Sequence, residues 1–466
     1  MDPLIKISSF VMCIGLALTY LVLPNSNSTD VYSSAAVGAG LAICAGILVE
    51  SRAGLRSLIR TDLLLIVTLF GLTLVEFFFP QGHIDSLVGP QTAIQGVEAL
   101  FLGFCGIIIG RIPTHRYERD RTHQVVVQLG QKTLFRLYLL VFFLGYLYML
   151  FMVGFNPVEL VSQMLLPRFH QVWTRGQFGG ISDIFGEFCG LLLYLVPALG
   201  GAILADRERF TFVQLACVTF GLVFTLFYGF SSGTRNVFAI YVVIFAAAYL
   251  ILRRNVAWKG TAIGATAVAV ILYFGAYYML QLRGVGLARY LEGGATSVGF
   301  RKETLFIDNN LPVISLLTDI FPARYDYLGF EIPVYAIAHP IPRAIWPDKP
   351  AGLSVETADA LGVRGASIAS TFVGEAYITG GYPAIIVISL MFGIFAGWWN
   401  RIRYRLHSNV GVAVYASGFF AAMLCMRSMV WFTTAMLPTF AIWLYVRKMS
   451  GRDSQRALPS RRSSNL

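Results

Sequence analysis

Long apolar runs are the feature that most restricts how this chain can fold. Runs of about 17 to 22 residues, long enough to cross a bilayer core roughly 30 Å thick, recur along nearly its whole length. The sequence therefore predicts an all-α polytopic membrane protein with about twelve transmembrane helices. The predicted spans are about 7–24, 35–50, 62–79, 93–110, 133–153, 184–204, 211–230, 236–252, 260–280, 383–400, 410–426 and 429–447.

Composition excludes several other classes of protein. Of the 466 residues, 56% are hydrophobic and 13% are charged, whereas roughly a quarter are charged in soluble domains. The net charge of +11 is spread over many short loops, so we expect no nucleic-acid partner. The six cysteines stand singly in apolar spans, which predicts neither a disulfide framework nor a metal site.

Lysine and arginine in the short loops predict the orientation, because positive charge is retained in the cytoplasm. If the spans alternate, the basic loops all fall on one side of the membrane. We therefore expect a multi-pass protein of the plasma (inner) membrane with both termini in the cytoplasm. The basic groups on that side are Arg52, Arg56 and Arg60, the segment 111–121, Arg207 and Arg209, Arg253 and Arg254, the segment 401–405, and the tail from Lys448.

The remaining sequence is dominated by one external loop. Nine spans occupy 1–281, the loop occupies 282–382 between spans nine and ten, three spans occupy 383–447, and a disordered cytoplasmic tail occupies 448–466. The loop is too apolar to stay disordered, and its apolar stretches are too short to cross a bilayer. We expect short helices that cap the bundle or dip into it.

Cations crowd the external side, against the positive-inside tendency. An arginine guanidinium grips phosphate oxygens in a bidentate way, so a diphosphate-linked lipid would meet Arg235, Arg283 and Arg427 at the depth of its head group. Alternatively, these side chains snorkel to lipid phosphates or pair with loop carboxylates. The other external cations are Arg168, Arg175, Arg289, Arg301, Lys302, Arg324, Arg343, Lys349 and Arg364.

Carboxylates and histidines are fewer. Glu375, in STFVGEAYITGGYP just before the membrane, is a candidate general base towards a sugar hydroxyl, or else it pairs with an arginine. His339 has no second ligand at metal-binding spacing, so a metal is poorly supported, and a hydrogen-bonding role is favoured over a catalytic one. Glu76 and Glu98 lie in or at the ends of apolar spans, which indicates either a function or exposure at the interface. No nucleotide-binding motif is present, so we expect no cofactor.

Three motifs in a fixed order carry a family resemblance. SGTR (232–235) at an external helix end, IPRAIWPDKP (341–350) within the long loop, and GEAYITGGYP (374–383) before the next span resemble the Wzy-type oligosaccharide repeat unit polymerases of O-antigen and capsule synthesis. The resemblance covers roughly 210–400 and the topology.

The resemblance implies a GT-C-like membrane glycosyltransferase, without metal or nucleotide, that is active on the external face. Such an enzyme moves a glycan from a polyprenyl (undecaprenyl) diphosphate carrier onto a new lipid-linked repeat unit. A chain-length regulator and a flippase are its candidate partners. Arg343, with Arg235, Arg283 and Arg427, would stabilise the departing diphosphate, and Glu375 would activate the acceptor hydroxyl.

Prolines in IPRAIWPDKP fix the backbone in advance and so hold Arg343, Trp346 and Lys349 in place. The tryptophan face suits stacking on a sugar ring, and the two cations suit a diphosphate. Alternatively, the segment is a structural clamp with Trp346 buried beneath the loop.

Two other functions stay open. An O-antigen ligase uses the same donor and transfers the glycan to a lipid A core. A flippase for the lipid-linked repeat, or a carrier for an anion, would place charges along a central cavity. Here the spans are nearly free of charge and the cations crowd at one face, which favours a one-sided active site.

Overall fold

The protein is helical throughout the part of the chain that the computed structural model describes. These residues are 3–79, 81–114, 129–174, 180–253, 258–292, 308–341, 345–346, 348–349, 352–355, 357–362, 368–405 and 408–456. They form eighteen α-helices, several short 3-10 helices and no strand. The α-helices are α1 (Pro3–Leu21), α2 (Ser28–Ser51), α3 (Thr61–Thr73), α4 (Pro90–Gly110), α5 (Gln131–Met152), α6 (Pro157–Met164), α7 (Gly180–Leu192), α8 (Leu195–Ala205), α9 (Phe212–Ser231), α10 (Arg235–Leu252), α11 (Trp258–Val285), α12 (Leu287–Leu291), α13 (Asn310–Ile320), α14 (Glu331–Ala338), α15 (Thr357–Ala360), α16 (Thr371–Arg405), α17 (Asn409–Arg427) and α18 (Phe432–Arg456).

Ten described helical segments are long and apolar enough to cross a membrane. The prediction of an all-α polytopic membrane protein is therefore confirmed, with ten such segments in place of about twelve. The two other predicted spans fall on shorter apolar helices, α3 and the Ala262–Gly275 part of α11. In the sixth span, α7 and α8 together supply the apolar segment Ile184–Ala205.

Hydrogen bonds between helix ends and the segments that connect the helices define the two ends of the bundle. At one end, here called the loop end, the Ser28 hydroxyl donates to the Val88 carbonyl oxygen (2.6 Å). At the other end, here called the basic end, Arg403 donates to the Ile59 carbonyl oxygen (2.9 Å). Several arginines meet at the basic end, as the alternation of spans predicts. They are Arg56, Arg60, Arg111, Arg253 and Arg403.

Helix α4 is the centre of one apolar core, which also includes α1 to α3, α13 and α16. It approaches α16 closely because small residues face each other. A side chain on Gly110 would strike the Leu390 carbonyl oxygen, and one on Gly393 would strike that of Ile107. Such small-residue contacts are how helices associate in membranes. The loop helix α13 packs into this core, so the predicted dipping of loop helices is seen here.

Helix α17 lies in a second apolar core with α5, α8, α10 and α18. It is buried on nearly all sides, and its first turn is capped by Ser408, whose hydroxyl accepts from the Gly411 N–H (3.0 Å). Because α17 also contacts α16 and α3, it joins the two cores. It ends at Arg427 at the loop end.

Four buried charges lie at the basic end and form what we call the ionic quartet, Glu50, Arg60, Asp62 and Arg111. Arg111 is fully buried and lies 2.9 Å from Glu50 and 3.3 Å from Asp62. Arg60 lies 2.9 Å from Glu50 and 2.6 Å from Asp62. The quartet is charge-balanced, and each cation contacts both carboxylates. It ties α2, α3 and the end of α4 together.

Polar side chains surround the ionic quartet. The Asn400 amide donates to Asp62 (2.6 Å), and the Tyr415 hydroxyl donates to Asn400 (2.8 Å). The Ser8 and Ser9 hydroxyls accept from Arg111. The expectation that the spans are nearly free of charge is thus incorrect at this end. In the sequence alone, a charge near the end of a span looks like a solvated loop residue.

Helix α16 is broken at two glycines. Gly380 and Gly381 have non-helical dihedrals, and Gly381 has a φ of +67°. The break exposes carbonyl groups that a loop segment satisfies, because Leu328 donates to Ile378 (2.8 Å) and Gly329 to Thr379 (2.9 Å). Since the first half begins at Thr371, helix precedes the predicted start of span ten at 383. Helix α18 continues to Arg456, into the tail predicted from 448; residues 457–466 lie outside the described part.

We predict that Gly381→Ala destabilises the protein. The left-handed φ disfavours an alanine, and its Cβ would lie 2.8 Å from the Tyr327 hydroxyl. We expect a loss of roughly 1–3 kcal/mol, measured as a lower unfolding temperature in detergent. Gly82→Ala, at a loop position with open space around it and no left-handed φ, is the control. Equal stability of both variants would contradict the prediction.

Candidate functional site

Two arginines from distant spans converge at the loop end. Arg235 Nη2 lies 3.4 Å from Asp308 Oδ1, and Arg427 Nη2 lies 3.5 Å from Asp308 Oδ2. In the orientation that satisfies both partners, the Asn236 amide oxygen accepts from Nε and Nη1 of Arg427, each at 3.1 Å. We call Arg235, Asn236, Asp308 and Arg427 the arginine cluster.

Helix ends position this cluster. Arg235 is the first residue of α10, and the N-cap residue Thr234 makes no side-chain capping hydrogen bond. A helix N-terminus favours anions and disfavours cations, so an arginine there gains from a neighbouring negative charge. Arg427 is in the last turn of α17, where a cation is favoured. The cluster therefore combines two guanidinium groups with a helix N-terminus, a combination that suits an anionic ligand.

The side chains of the cluster are accessible. Arg427 is 34% exposed, Asp308 22% and Arg235 14%. In contrast, the ionic quartet at the basic end is closed, because its side chains are at most 6% exposed. A ligand can therefore reach the arginine cluster but not the quartet.

Glu375 lies on the first half of α16. Its carboxylate accepts hydrogen bonds from the Ser428 hydroxyl and from the Met429 N–H (2.6 Å). Ser428 follows Arg427 directly, so Glu375 holds the turn that ends α17. The structure thus joins Glu375 to the two residues that follow Arg427, while its role as a general base stays a prediction.

His339 docks on the same turn region. Its Nδ1 lies 2.8 Å from the Thr434 hydroxyl, and its ring centroid lies 4.3 Å from that of Trp431. The ammonium of Lys349 donates to the carbonyl oxygens of His339 (2.7 Å) and Ile341 (3.1 Å). Residues 427–434 therefore carry both Arg427 and the contacts of His339, and the proline-rich segment is folded back by Lys349.

Trp346 is 37% exposed. The alternative in which its ring is buried beneath the loop is therefore not what the structure has. An exposed indole face beside a folded-back loop is compatible with stacking on a sugar ring.

Arg168 and Arg289 lie in two neighbouring segments. The Ala288 N–H, at the start of α12, donates to the Leu165 carbonyl oxygen (3.2 Å). Arg289 is exposed, and the Arg168 guanidinium lies 5.6 Å from the Phe169 ring centroid. The sequence places both on the external side, and the structure joins their segments through this hydrogen bond.

Arg175, Arg343, Arg301, Lys302 and Arg364 lie outside the described residues. Arg283 lies in α11, and the described part does not include its side chain. Within the described part of the chain, no group of three or more histidine, cysteine, aspartate or glutamate side chains has a metal-binding arrangement.

The two intramembrane glutamates have different surroundings. Glu76 is fully buried, so exposure at the interface is excluded for it. Glu98 is half-buried beside the hydroxyls of Tyr20 and Tyr382.

Sequence reasoning missed Asp308 and Asn236. Asn236 directly follows Arg235 as the second residue of α10, and this adjacency is the signal that points to it. Asp308 lies 73 residues from Arg235, and nothing in its local sequence indicates the pairing. The chain matches no protein-family model, no curated protein and no solved structure.

Proposed function

We propose that the protein polymerises polyprenyl (undecaprenyl) diphosphate-linked oligosaccharide repeat units at the loop end of its bundle. The growing glycan leaves its lipid carrier and joins a hydroxyl of a new lipid-linked repeat unit. In this proposal the loop end is the external face of the plasma membrane, and the two shorter apolar helices complete a GT-C-like set of about twelve spans. The observation that carries it is the convergence of Arg235 and Arg427 on one accessible anion position.

The chemistry supports an anionic leaving group. When a glycosidic bond to a diphosphate breaks, negative charge develops on the departing oxygen, and preorganised cations stabilise it. Arg427 is preorganised by Asn236, which accepts from two of its nitrogens. Its third nitrogen, Nη2, points to the anion position that Asp308 occupies. Arg283 and Arg343 remain further candidates for the same task.

The sugar would extend towards the proline-rich segment. Trp346 offers an exposed aromatic face, and His339 is fixed beside Trp431 by Thr434. Lys349 positions the segment through backbone carbonyl groups, and its contact with the diphosphate stays a prediction. Arg168 and Arg289 would meet outer parts of the lipid-linked substrates.

The ligase and flippase alternatives make different use of the same geometry. A ligase would also hold a diphosphate donor at the arginine cluster, and only the acceptor differs. A flippase needs charges along a path through the bundle. The buried charges at the basic end form a closed, balanced quartet, which supports a structural role for them over a path.

Purified protein in liposomes, given a synthetic polyprenyl diphosphate oligosaccharide as the only substrate, tests the proposal. A ladder of longer lipid-linked glycans, separated by size, is the expected result. A single transfer that requires an added lipid A core would identify a ligase instead. Movement of the substrate between leaflets without a new glycosidic bond would identify a flippase.

We predict that Glu375→Gln lowers the rate of transfer by about 10²-fold or more. A general base contributes about 10²–10⁴-fold, and the amide cannot accept a proton from the acceptor hydroxyl. Ser428→Ala, which removes one hydrogen bond to Glu375 but keeps the carboxylate, is the matched variant. A loss in Ser428→Ala as large as that in Glu375→Gln would show that Glu375 acts by positioning the turn.

A further inference from the structure

Asp308 occupies the position between the two guanidinium groups of the arginine cluster. We propose that this aspartate sets the specificity of the site by acting as a resident counter-ion, which a diphosphate displaces and a singly charged phospholipid head group does not. The inference rests on the proposed function, since it concerns how the same site selects its ligand.

The contacts of Asp308 are loose for an ion pair. Each carboxylate oxygen reaches one arginine, at 3.4 Å for Arg235 and 3.5 Å for Arg427. Strong guanidinium–carboxylate bonds are shorter, roughly 2.7–2.9 Å, and are commonly bidentate to one arginine. The two guanidinium groups are therefore too far apart for the single carboxylate of Asp308 to form a short hydrogen bond to each of them. Two linked phosphates, whose oxygens are more widely spaced, match such a gap better.

In this proposal, the charge of the lipid head group determines whether it displaces Asp308. Within the arginine cluster itself, the two arginines and Asp308 sum to one positive charge. A phosphodiester lipid carries one negative charge, so it gains nothing in charge by taking the place of Asp308. A sugar-linked diphosphate carries two, so its exchange for Asp308 neutralises both arginines. Bilayer phospholipids surround a site at the membrane edge in great excess, so this difference decides which lipid occupies it.

Asp308 can also leave the site. It lies just before α13, at a helix start where Asn309 has a left-handed φ of +51°. It is 22% exposed, so its carboxylate can turn to solvent when the arginines bind another anion. The anchoring of α13 does not depend on it, because Asn310 donates to the Leu72 carbonyl oxygen (2.7 Å).

The test measures binding of a fluorescent polyprenyl diphosphate to the full-length protein in nanodiscs. One set contains phosphatidylcholine only, and the other contains phosphatidylglycerol as half of the lipid. The variants are Asp308→Asn, which removes the charge and keeps the shape, and Asp308→Ser, in case the amide disturbs folding. Asp326→Asn, at an exposed loop aspartate, is the control for a lost carboxylate.

In phosphatidylcholine we expect Asp308→Asn to bind the diphosphate at least as tightly as the wild type. In phosphatidylglycerol its Kd should rise by about tenfold relative to phosphatidylcholine, because one removed charge near two cations alters competition on that scale. The wild type and Asp326→Asn should change by less than about twofold, within the expected effect of surface charge.

Two results would overturn this inference and leave the proposed function standing. One is weaker binding by both Asp308 variants in phosphatidylcholine, which would make Asp308 a residue that positions the arginines. The other is the same phosphatidylglycerol sensitivity in wild type and Asp308→Asn. Failure of the wild type to bind the diphosphate in either nanodisc would overturn the proposed function, and the inference with it.

Discussion

Arg427→Gln should reduce glycan transfer by about 10²–10³-fold, as does loss of one preorganised donor to a developing negative charge in other enzymes. Asn236 holds the Arg427 side chain, which presents Nη2 to the anion position. The conformational entropy of this side chain is therefore lost before the substrate binds. Arg235→Gln should have an effect of similar size. Because both arginines act on one diphosphate, the double variant should lose much less than the product of the two effects.

Radiolabelled or fluorescent lipid-linked glycan in liposomes measures these effects. Arg427→Lys should be intermediate, since lysine keeps the charge but cannot donate to Asn236 and to an anion in the same fork. Arg209→Gln is the matched control, because Arg209 is 63% exposed at the basic end. Folding should be little affected, since Asp308 keeps the other arginine as a partner. Transfer within twofold of wild type in Arg427→Gln would remove the arginine cluster from the mechanism.

Arg111→Met should destabilise the protein by about 3–5 kcal/mol, the largest stability effect we expect from a single substitution. Arg111 is fully buried and contacts both carboxylates of the ionic quartet. Its removal leaves the quartet with two carboxylates, Glu50 and Asp62, and one cation, Arg60, so the quartet gains a net negative charge. The Ser8 and Ser9 hydroxyls lose their shared donor as well.

The double variant Arg111→Met/Glu50→Met separates charge imbalance from lost packing. It restores neutrality, and well-packed apolar side chains often replace a buried ion pair at little cost. We therefore expect it to recover most of the unfolding temperature, measured by the monodisperse fraction after heating in detergent. If the double variant is less stable than Arg111→Met, the quartet stabilises through its hydrogen bonds rather than through charge balance.

Much of the fold can be predicted from the sequence, because the length of an apolar run depends only on consecutive residues. The apolar run of each long span is readable without knowledge of its neighbours, as with α4 and α10. The start of α16 is not readable in this way. STFVGEAYI contains polar and small residues and precedes two glycines and a proline, which reads as loop, whereas burial against α4 and α13 makes it helical.

The candidate site was partly predictable for the same reason. Arg235 and Arg427 stand out because a cation at the loop end is unusual, and the structure brings the two together. Their shared partner, Asp308, depends on how three distant segments pack, and one sequence does not contain that order. The ionic quartet was missed because each of its members lies at a span end, where charge is ordinary.

The close contact between α4 and α16 has a consequence for biosynthesis. Gly110 and its partner Leu390 are separated by roughly 280 residues, which takes about 14 to 56 s to translate at the usual rate of roughly 5–20 residues per second. During that interval α4 can pack against α1, α2 and α3, and then against α13, which is also made before Leu390. The arginine pair waits longer still, since Arg427 is made after α16. A ribosome that stops between α16 and α17 leaves a bundle in which α4 and α16 can make their contact, while Arg427 is still missing from the anion position.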